Sequence, residues 1–200
     1  LDAEIDRFLA WFGAPASELD GLIRAGLAHL WFVTLHPFED GNGRLARAIT
    51  DMALSRDERQ PMRVFSLSAR ILRERENYYA ILERTQRGNL DITGWLAWFL
   101  LQVEASAKMA EHTVANTLGK ARFWLRHQST DLNVRQRKVL NRLLDAGPDG
   151  FEGGINTRKY MSLTKTSRAT AYRELAELVE NGCIAPTGKG GRSSAYRIVW

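Results

Sequence analysis

Apolar residues recur every three or four positions through most of the first 128 residues, which is the period of an amphipathic α-helix. The pattern from Ile5 to Phe12 predicts a short helix with a glycine C-cap at Gly13. The stretch 19–35 is apolar on most sides, which predicts a central helix enclosed by others. Because proline disfavours helix in the residue before it, we expect this helix to end at His36-Pro37.

Three further helical stretches are predicted in this part of the chain. They are a helix with Leu45, Ile49 and Met52 along one face, a helix over 66–87, and one long or two consecutive helices over 93–128 with Trp95, Trp98 and Phe99 in the core. Apolar and polar residues do not alternate convincingly before residue 130. We therefore expect the first domain to be nearly all helical.

The C-terminal part of the chain has a different pattern. Helices are predicted over 134–146, from Thr157 to Leu163, and from Thr166 or Ser167 to Asn181, and two short strands over 183–185 and 195–199. Three helices followed by a two-stranded ribbon is the order of a winged helix-turn-helix. The predicted fold class is mainly α: a helical domain over 1–128 and a small winged helix-turn-helix (α+β) domain over 129–200.

Composition separates the same two parts. Residues 1–130 carry 16 Lys and Arg against 16 Asp and Glu, whereas 131–200 carry 12 against 7, which accounts for the net charge of +5. A basic domain favours an anionic macromolecular partner. A single cysteine, Cys183, excludes an intramolecular disulfide. With no apolar stretch long enough to span a bilayer and no signal sequence, we expect a soluble, cytoplasmic protein without a membrane partner.

The segment HPFEDGNGRLAR, residues 36–47, joins the predicted loop to the start of the next helix. A helix start leaves backbone N–H groups unpaired and carries partial positive charge, so it attracts anions. Gly41 and Gly43 leave these amides accessible, and Arg44 and Arg47 project from the same side of the helix. This combination suits a polyphosphate.

Two other side chains of the loop add further chemistry. Asp40 is a hard oxygen ligand of the kind that Mg²⁺ accepts. His36 can take a proton from a hydroxyl near neutral pH. Together with the anion site, they suit transfer of a phosphorus group from a nucleotide to an alcohol. The remaining histidines have no such surroundings and are expected to be structural: His29, His112 and His127.

The segment resembles the signature loop of Fic-domain proteins, His-x-Phe-x-Asp/Glu-Gly-Asn-Gly-Arg-x-x-Arg, and every fixed position is present. The likeness extends through FVTLHPF and more loosely through DITGWLAWFLLQ, so it covers roughly residues 1–103. The resemblance implies a protein adenylyltransferase. Such an enzyme transfers AMP from ATP to a Tyr, Thr or Ser hydroxyl of a target protein, and pyrophosphate leaves.

The resemblance also implies a role for each matched residue. His36 is the base, Asp40 holds Mg²⁺ against the phosphates, and Phe38 is buried as the structural anchor of the loop. The nucleotide-binding residues are those at the helix start: Gly41, Asn42, Gly43, Arg44 and Arg47.

Two features of many relatives are missing from the sequence. One is a β-hairpin flap that aligns the target peptide, and the other is an inhibitory helix marked Ser/Thr-x-x-x-Glu-Gly/Asn. The nearest match to that helix fails, because Glu174 is followed by Leu175. We expect this chain to contain no autoinhibitory segment of its own. Arg47 is expected to pair with a glutamate from a partner or from a segment upstream of Leu1. The flap is also expected upstream of Leu1.

The basic C-terminal domain has two interpretations. In the first it binds duplex DNA through basic and hydroxylated side chains of its last helix and wing: Ser167, Arg168, Thr170, Arg173, Lys189 and Arg192. In the second, the same scaffold binds protein or forms a homodimer.

We interpret the whole sequence as a protein adenylyltransferase that uses ATP and Mg²⁺ and has a target protein and duplex DNA as partners. Two alternatives stay open. One is a DNA-binding transcriptional regulator whose Fic-type domain only senses nucleotide, and the other is a Fic-type enzyme that transfers another phosphate-containing group. The intact Gly-Asn-Gly-Arg segment favours AMP transfer.

Overall fold

The computed structural model describes residues 1–15, 19–58, 66–147, 151–188 and 195–200. Its elements are α1 (Asp2–Gly13), α2 (Gly21–Leu35), α3 (Asn42–Glu58), α4 (Leu67–Arg73), α5 (Arg75–Gln86), α6 (Thr93–Arg126), α7 (Val134–Ala146), α8 (Thr157–Thr164), α9 (Arg168–Glu180), β1 (Ile184–Pro186) and β2 (Tyr196–Ile198). The prediction of a mainly helical chain is confirmed. None of the helices in the described ranges is long and apolar enough to cross a membrane.

The chain divides into two compact units, Leu1–Glu111 and His112–Trp200. This division falls inside α6, whereas the sequence places the domain boundary near the end of the same helix, after residue 128. The two units are described separately below.

Helix α2 is the central element of the first unit. Asp20 caps its start by accepting hydrogen bonds from the backbone N–H groups of Leu22 and Ile23. Most of its surface is buried, as the apolar sequence predicts. Trp95 and Phe99 of α6 are completely buried against this core, and the Trp95 indole N–H donates to the Gly26 carbonyl of α2 at 2.9 Å.

Helix α1 ends at Gly13, but not through a glycine in the left-handed region. The next residue, Ala14, is extended (φ −60°, ψ 149°). Two arginines instead satisfy carbonyl groups at this end: Arg24 donates to Phe12, Ala14 and neighbouring carbonyls, and Arg56 donates to Phe12 at 2.9 Å. The predicted glycine C-cap is therefore replaced by side-chain donors from α2 and α3.

The buried face of α3 is not the predicted one. Leu45 and Met52 are 41% and 50% exposed, and only Ile49 of the predicted apolar face packs against the core. The buried positions are instead Ala46, Thr50, Ala53 and Leu54. The small side chains on this face let α3 pack closely along α2. The close approach of these two helices therefore determines which face of α3 is buried.

The helix predicted over 66–87 is two helices. Ser66 caps the start of α4, and the chain leaves helical geometry at Glu74 (φ −100°, ψ 26°) before α5 begins. The segment contains neither Pro nor Gly, so its composition gives no signal for the break.

The second unit contains α7, α8 and α9 followed by a β1–β2 hairpin, which is the predicted order of elements. Asn133 and Gln136 form a capping box at the start of α7. The two strands pair antiparallel with Ile184 opposite Ile198. Helix α8 is capped by Asn156 and not by Thr157, the residue that the sequence suggests.

A buried carboxylate connects α7, α8 and α9. Glu174 of α9 is 1% exposed and accepts hydrogen bonds from Asn133, Arg135 and the Tyr160 hydroxyl. The Tyr160 contact is 2.6 Å long. The hydrogen bond from Arg135, more than any other contact, lowers the pKa of Glu174 below its ordinary value of 4.5. Glu174 is therefore an ionised group in the core, satisfied by donors from α7 and α8.

Candidate active site

The predicted loop lies between the end of α2 and the start of α3. His36 adopts the left-handed conformation (φ 47°, ψ 54°), and its backbone N–H still donates to the Phe32 carbonyl at 3.2 Å. Pro37 then prevents continuation of the helix. The His36 side chain is exposed, and within the described ranges it makes no hydrogen bond or ion pair. Its imidazole is therefore available to a ligand.

Asn42, and not Phe38, anchors the loop through its side chain. The Asn42 amide is 3% exposed, accepts from the Phe38 backbone N–H at 3.0 Å and donates to the Phe38 carbonyl. The Phe38 ring is 52% exposed, so the expectation that this ring is buried is wrong. Since the Asn42 side chain is bonded to the loop backbone, we assign its backbone N–H to the anion site.

The start of α3 presents three backbone donors. Gly41 precedes the helix with φ 86°, a conformation that residues with a side chain rarely adopt. Its carbonyl accepts the first helical hydrogen bond, from Leu45 at 3.0 Å. In the described part of the chain, the N–H groups of Asn42, Gly43 and Arg44 have no acceptor.

The charged side chains around this helix start are also uncommitted. Arg44 and Asp40 are exposed, and Arg47 is half-buried. No hydrogen bond or ion pair to these three side chains occurs among the residues that the structure describes. The Arg47 guanidinium lies at the helix start, because a Cβ added to Gly43 would be 3.5 Å from Arg47 Nη1. Donors and positive charge thus converge there, as an anion site requires.

A buried histidine lies behind Arg47. His29 is completely buried, with Nδ1 2.9 Å from Thr50 Oγ1 and Nε2 2.9 Å from the Tyr78 hydroxyl. Burial, and secondarily the positive charge of Arg47, lower the pKa of His29 from 6.5 to about 3. Burial raises the pKa of Tyr78 to about 12. The expectation that His29 is structural did not include these two polar contacts or its proximity to the charge of Arg47.

Acid should destabilise the protein through His29. The unfolded chain binds a proton here below pH 6.5, whereas the folded chain resists it down to about pH 3, so stability falls as pH decreases through this window. Between pH 7 and pH 5 the expected loss is about 2 kcal/mol. A His29→Gln variant retains a donor and an acceptor but does not titrate. Urea unfolding at both pH values should show a smaller loss for this variant, and equal losses would contradict the assignment.

The predicted DNA-contact residues of the second unit lie at the start of α9, where described. Ser167 is the N-cap: its Oγ accepts from the Thr170 N–H at 3.2 Å and lies 3.0 Å from the Thr170 hydroxyl. Arg168 is exposed, and Arg173 is exposed with Glu177 3.6 Å away. The two wing residues, Lys189 and Arg192, lie outside the described residues.

In a comparison with known protein families, the segment that contains the loop matches one family. Residues 1–54 match the Fic/DOC family. This segment contains α1, α2, the loop and most of α3. A curated relative, "Protein adenylyltransferase Fic" of Culex quinquefasciatus, is 32% identical over 87 residues, which are 43% of this chain and 16% of that protein. The chain thus spans about a sixth of the length of this relative.

Proposed function

We propose that the first unit is a protein adenylyltransferase that transfers AMP from ATP to a hydroxyl side chain of a target protein. The observation that carries the proposal is the start of α3, where Arg44 and Arg47 accompany three N–H groups that have no acceptor among the described residues, and the loop that leads into this start begins at His36 with its uncommitted imidazole. The Fic/DOC match over residues 1–54 and the name of the curated relative support this reaction.

In the proposed reaction, each group has a defined task. The N–H groups at the start of α3, with Arg44 and Arg47, bind the phosphates and stabilise the charge that develops on them. The target hydroxyl oxygen attacks the α-phosphorus, and the bond from that phosphorus to the pyrophosphate oxygen breaks. His36 accepts the hydroxyl proton. The products are the AMP ester of the target and pyrophosphate.

Asp40 fits a magnesium ion that arrives with ATP better than a resident metal. It supplies one uncommitted carboxylate, and no group of three or more His, Cys, Asp or Glu suited to a metal occurs in the described ranges. Magnesium commonly binds through one or two carboxylates together with substrate phosphates and water. When bound, the ion would neutralise charge on the phosphates, while Asp40 holds it in place.

The test uses ATP labelled at either the α- or the γ-phosphate, with Mg²⁺, this chain and lysate proteins. AMP transfer labels protein from the α-position only, whereas phosphate transfer labels it from the γ-position only. Binding of ATP without label on any protein identifies a nucleotide sensor and contradicts the proposal. The isosteric variant Asp40→Asn should lose Mg²⁺-dependent transfer and keep its helical content.

We also propose that the second unit is a winged helix-turn-helix that binds duplex DNA. The observation that favours this is the α8–α9 pair. Three residues separate these helices, and the second starts with a hydroxyl cap and exposes Arg168 and Arg173. With 12 basic against 7 acidic residues over 131–200, this part suits a polyanion.

Removal of Arg168 and Arg173 together should weaken duplex binding and its salt dependence. Each lost phosphate contact lowers the slope of log K against log salt by about 0.9, so the double alanine variant should lose about 2. Arg142→Ala, an exposed arginine of α7, is the matched control and should leave the slope unchanged. No duplex affinity of the parent chain at low salt, or equal slopes for the three proteins, would refute DNA binding.

A further inference from the structure

Three buried residues form a hydrogen-bond chain that ends on α3. Thr50 Oγ1 donates to the Ala46 carbonyl at 2.8 Å, so its hydroxyl hydrogen is used. His29 Nδ1–H must therefore donate to Thr50, which leaves His29 Nε2 to accept from the Tyr78 hydroxyl. The direction is fixed from end to end: Tyr78 donates to His29, His29 to Thr50, and Thr50 to Ala46.

The chain of hydrogen bonds connects three helices at one turn of α3. Tyr78 belongs to α5 and His29 to α2, while Ala46 and Thr50 lie on either side of Arg47. All four linked residues are at most 4% exposed, so water does not compete for these bonds. A hydroxyl that only bonds back to its own helix would not fix the rotation of that helix. The additional hydrogen bond from His29 fixes the rotation of α3.

Arg47 is the charged group that this turn carries. Its guanidinium lies at the Gly43 end of α3, and its positive charge acts on both His29 and Tyr78. Across the described residues it has no anionic partner. The positive charge of Arg47 lies near a neutral hydrogen-bond chain that cannot balance it. A bound anion would supply the missing negative charge.

We propose that Tyr78, His29 and Thr50 are positioning residues that hold the Arg47 turn of α3 in the orientation needed to bind the polyphosphate of the nucleotide. This proposal rests on the proposed role of the α3 start in nucleotide binding. None of the three residues touches the substrate. They act through the backbone of Ala46 and through the placement of Arg47.

The test compares Thr50→Val with Thr50→Ser in the full chain. Valine preserves shape but removes the hydroxyl, and serine restores it. Thr50→Val should raise the KM for ATP about tenfold, as expected for one impaired charge-assisted contact, with a much smaller change in kcat. Thr50→Ser should restore the KM. An unchanged KM in folded Thr50→Val, or an equal rise of KM in folded Thr50→Ser, would overturn the proposal.

A second measurement does not depend on transfer activity. The His29 ring nitrogens are followed by ¹⁵N NMR during titration with inorganic pyrophosphate. The free protein should show a protonated Nδ1, and pyrophosphate should shift the His29 signals saturably in the wild type but not in Arg47→Ala. Tyr78→Phe should alter the Nε2 signal and weaken pyrophosphate binding, and it replaces Thr50→Val if that variant does not fold. If pyrophosphate binds and the His29 signals do not move, the proposal is wrong. An absence of AMP transfer in the wild type would instead refute only the proposed function.

Discussion

Replacement of His36 by alanine is expected to lower the rate of AMP transfer by about 10²- to 10⁴-fold, the usual contribution of a general base. The affinity for ATP should change little, because the proposed phosphate site is the start of α3 and His36 lies at the other end of the loop. The rate is measured as transfer of α-labelled phosphate to protein, and the affinity by equilibrium binding of ATP.

The chain offers a matched control in His112. This histidine is also exposed, but it belongs to the second unit, and its Nδ1 lies 3.2 Å from the side-chain nitrogen of Asn116. His112→Ala should transfer AMP at the wild-type rate. Full activity of His36→Ala would assign the base elsewhere, and a parallel loss of ATP affinity would assign His36 to binding.

Local signals in the sequence predict much of the fold because they act within one turn of helix. The predicted helix over 134–146 coincides with α7, whose start carries the Asn133–Gln136 capping box. The predicted end of α2 at His36-Pro37 is also confirmed. These boundaries depend on residues no more than four positions apart, so the sequence contains the whole cause.

Predictions failed where the cause is not local. The Leu45–Met52 face of α3 fits helical periodicity as well as the Ala46–Ala53 face does, and only the close approach of α2 selects the second. The break at Glu74 has no proline or glycine to mark it. Such choices depend on tertiary packing, which a pattern along the chain does not encode.

The candidate site also combines features that the sequence predicts with features that it does not. The loop residues are neighbours in sequence, so the motif alone places His36, Asp40 and Arg47 on one loop and on the helix that follows it. The contacts behind them join residues 21 and 49 positions apart, from His29 to Thr50 and to Tyr78. A single histidine within an apolar helix gives no sequence signal for those partners, and the exposed Phe38 ring shows that a motif position does not fix burial.

The His29 cluster of the first unit and the Glu174 cluster of the second unit are both buried, and the two clusters differ in charge. In the first unit, burial keeps His29 neutral, and its hydrogen bonds use every polar atom without an ion. In the second unit, Glu174 stays ionised because Arg135 approaches it from the surface, where the Arg135 side chain is 45% exposed. Removing a partner from a buried charge costs more than removing one from a neutral chain. The second cluster should therefore be the more sensitive to mutation.

Arg135→Ala is accordingly expected to destabilise the protein clearly more than the loss of an exposed ion pair does, because the variant leaves a buried carboxylate without its charged partner. The loss leaves the Glu174 carboxylate, 1% exposed, with only Tyr160 and Asn133 as donors. Arg173→Ala is the matched control, since Arg173 also faces a glutamate of α9 but is 70% exposed, and it should cost less than about 0.5 kcal/mol. Urea unfolding at pH 7 measures the change in the free energy of unfolding for both variants.

The same variant has a defined pH dependence. In the wild type the pKa of Glu174 lies below 4.5, so its stabilising contribution is complete above that pH and is lost as pH falls through the lowered value. Without Arg135, burial should raise the pKa of Glu174, and protonation then relieves the unpaired charge. The stability difference between wild type and Arg135→Ala should therefore narrow as pH decreases from 7 toward 4.

In a Glu174→Gln background, Arg135→Ala should cost much less stability than in the wild type, because no buried charge is left unpaired. An equal cost in both backgrounds would mean that Arg135 stabilises the second unit through packing and not through this carboxylate.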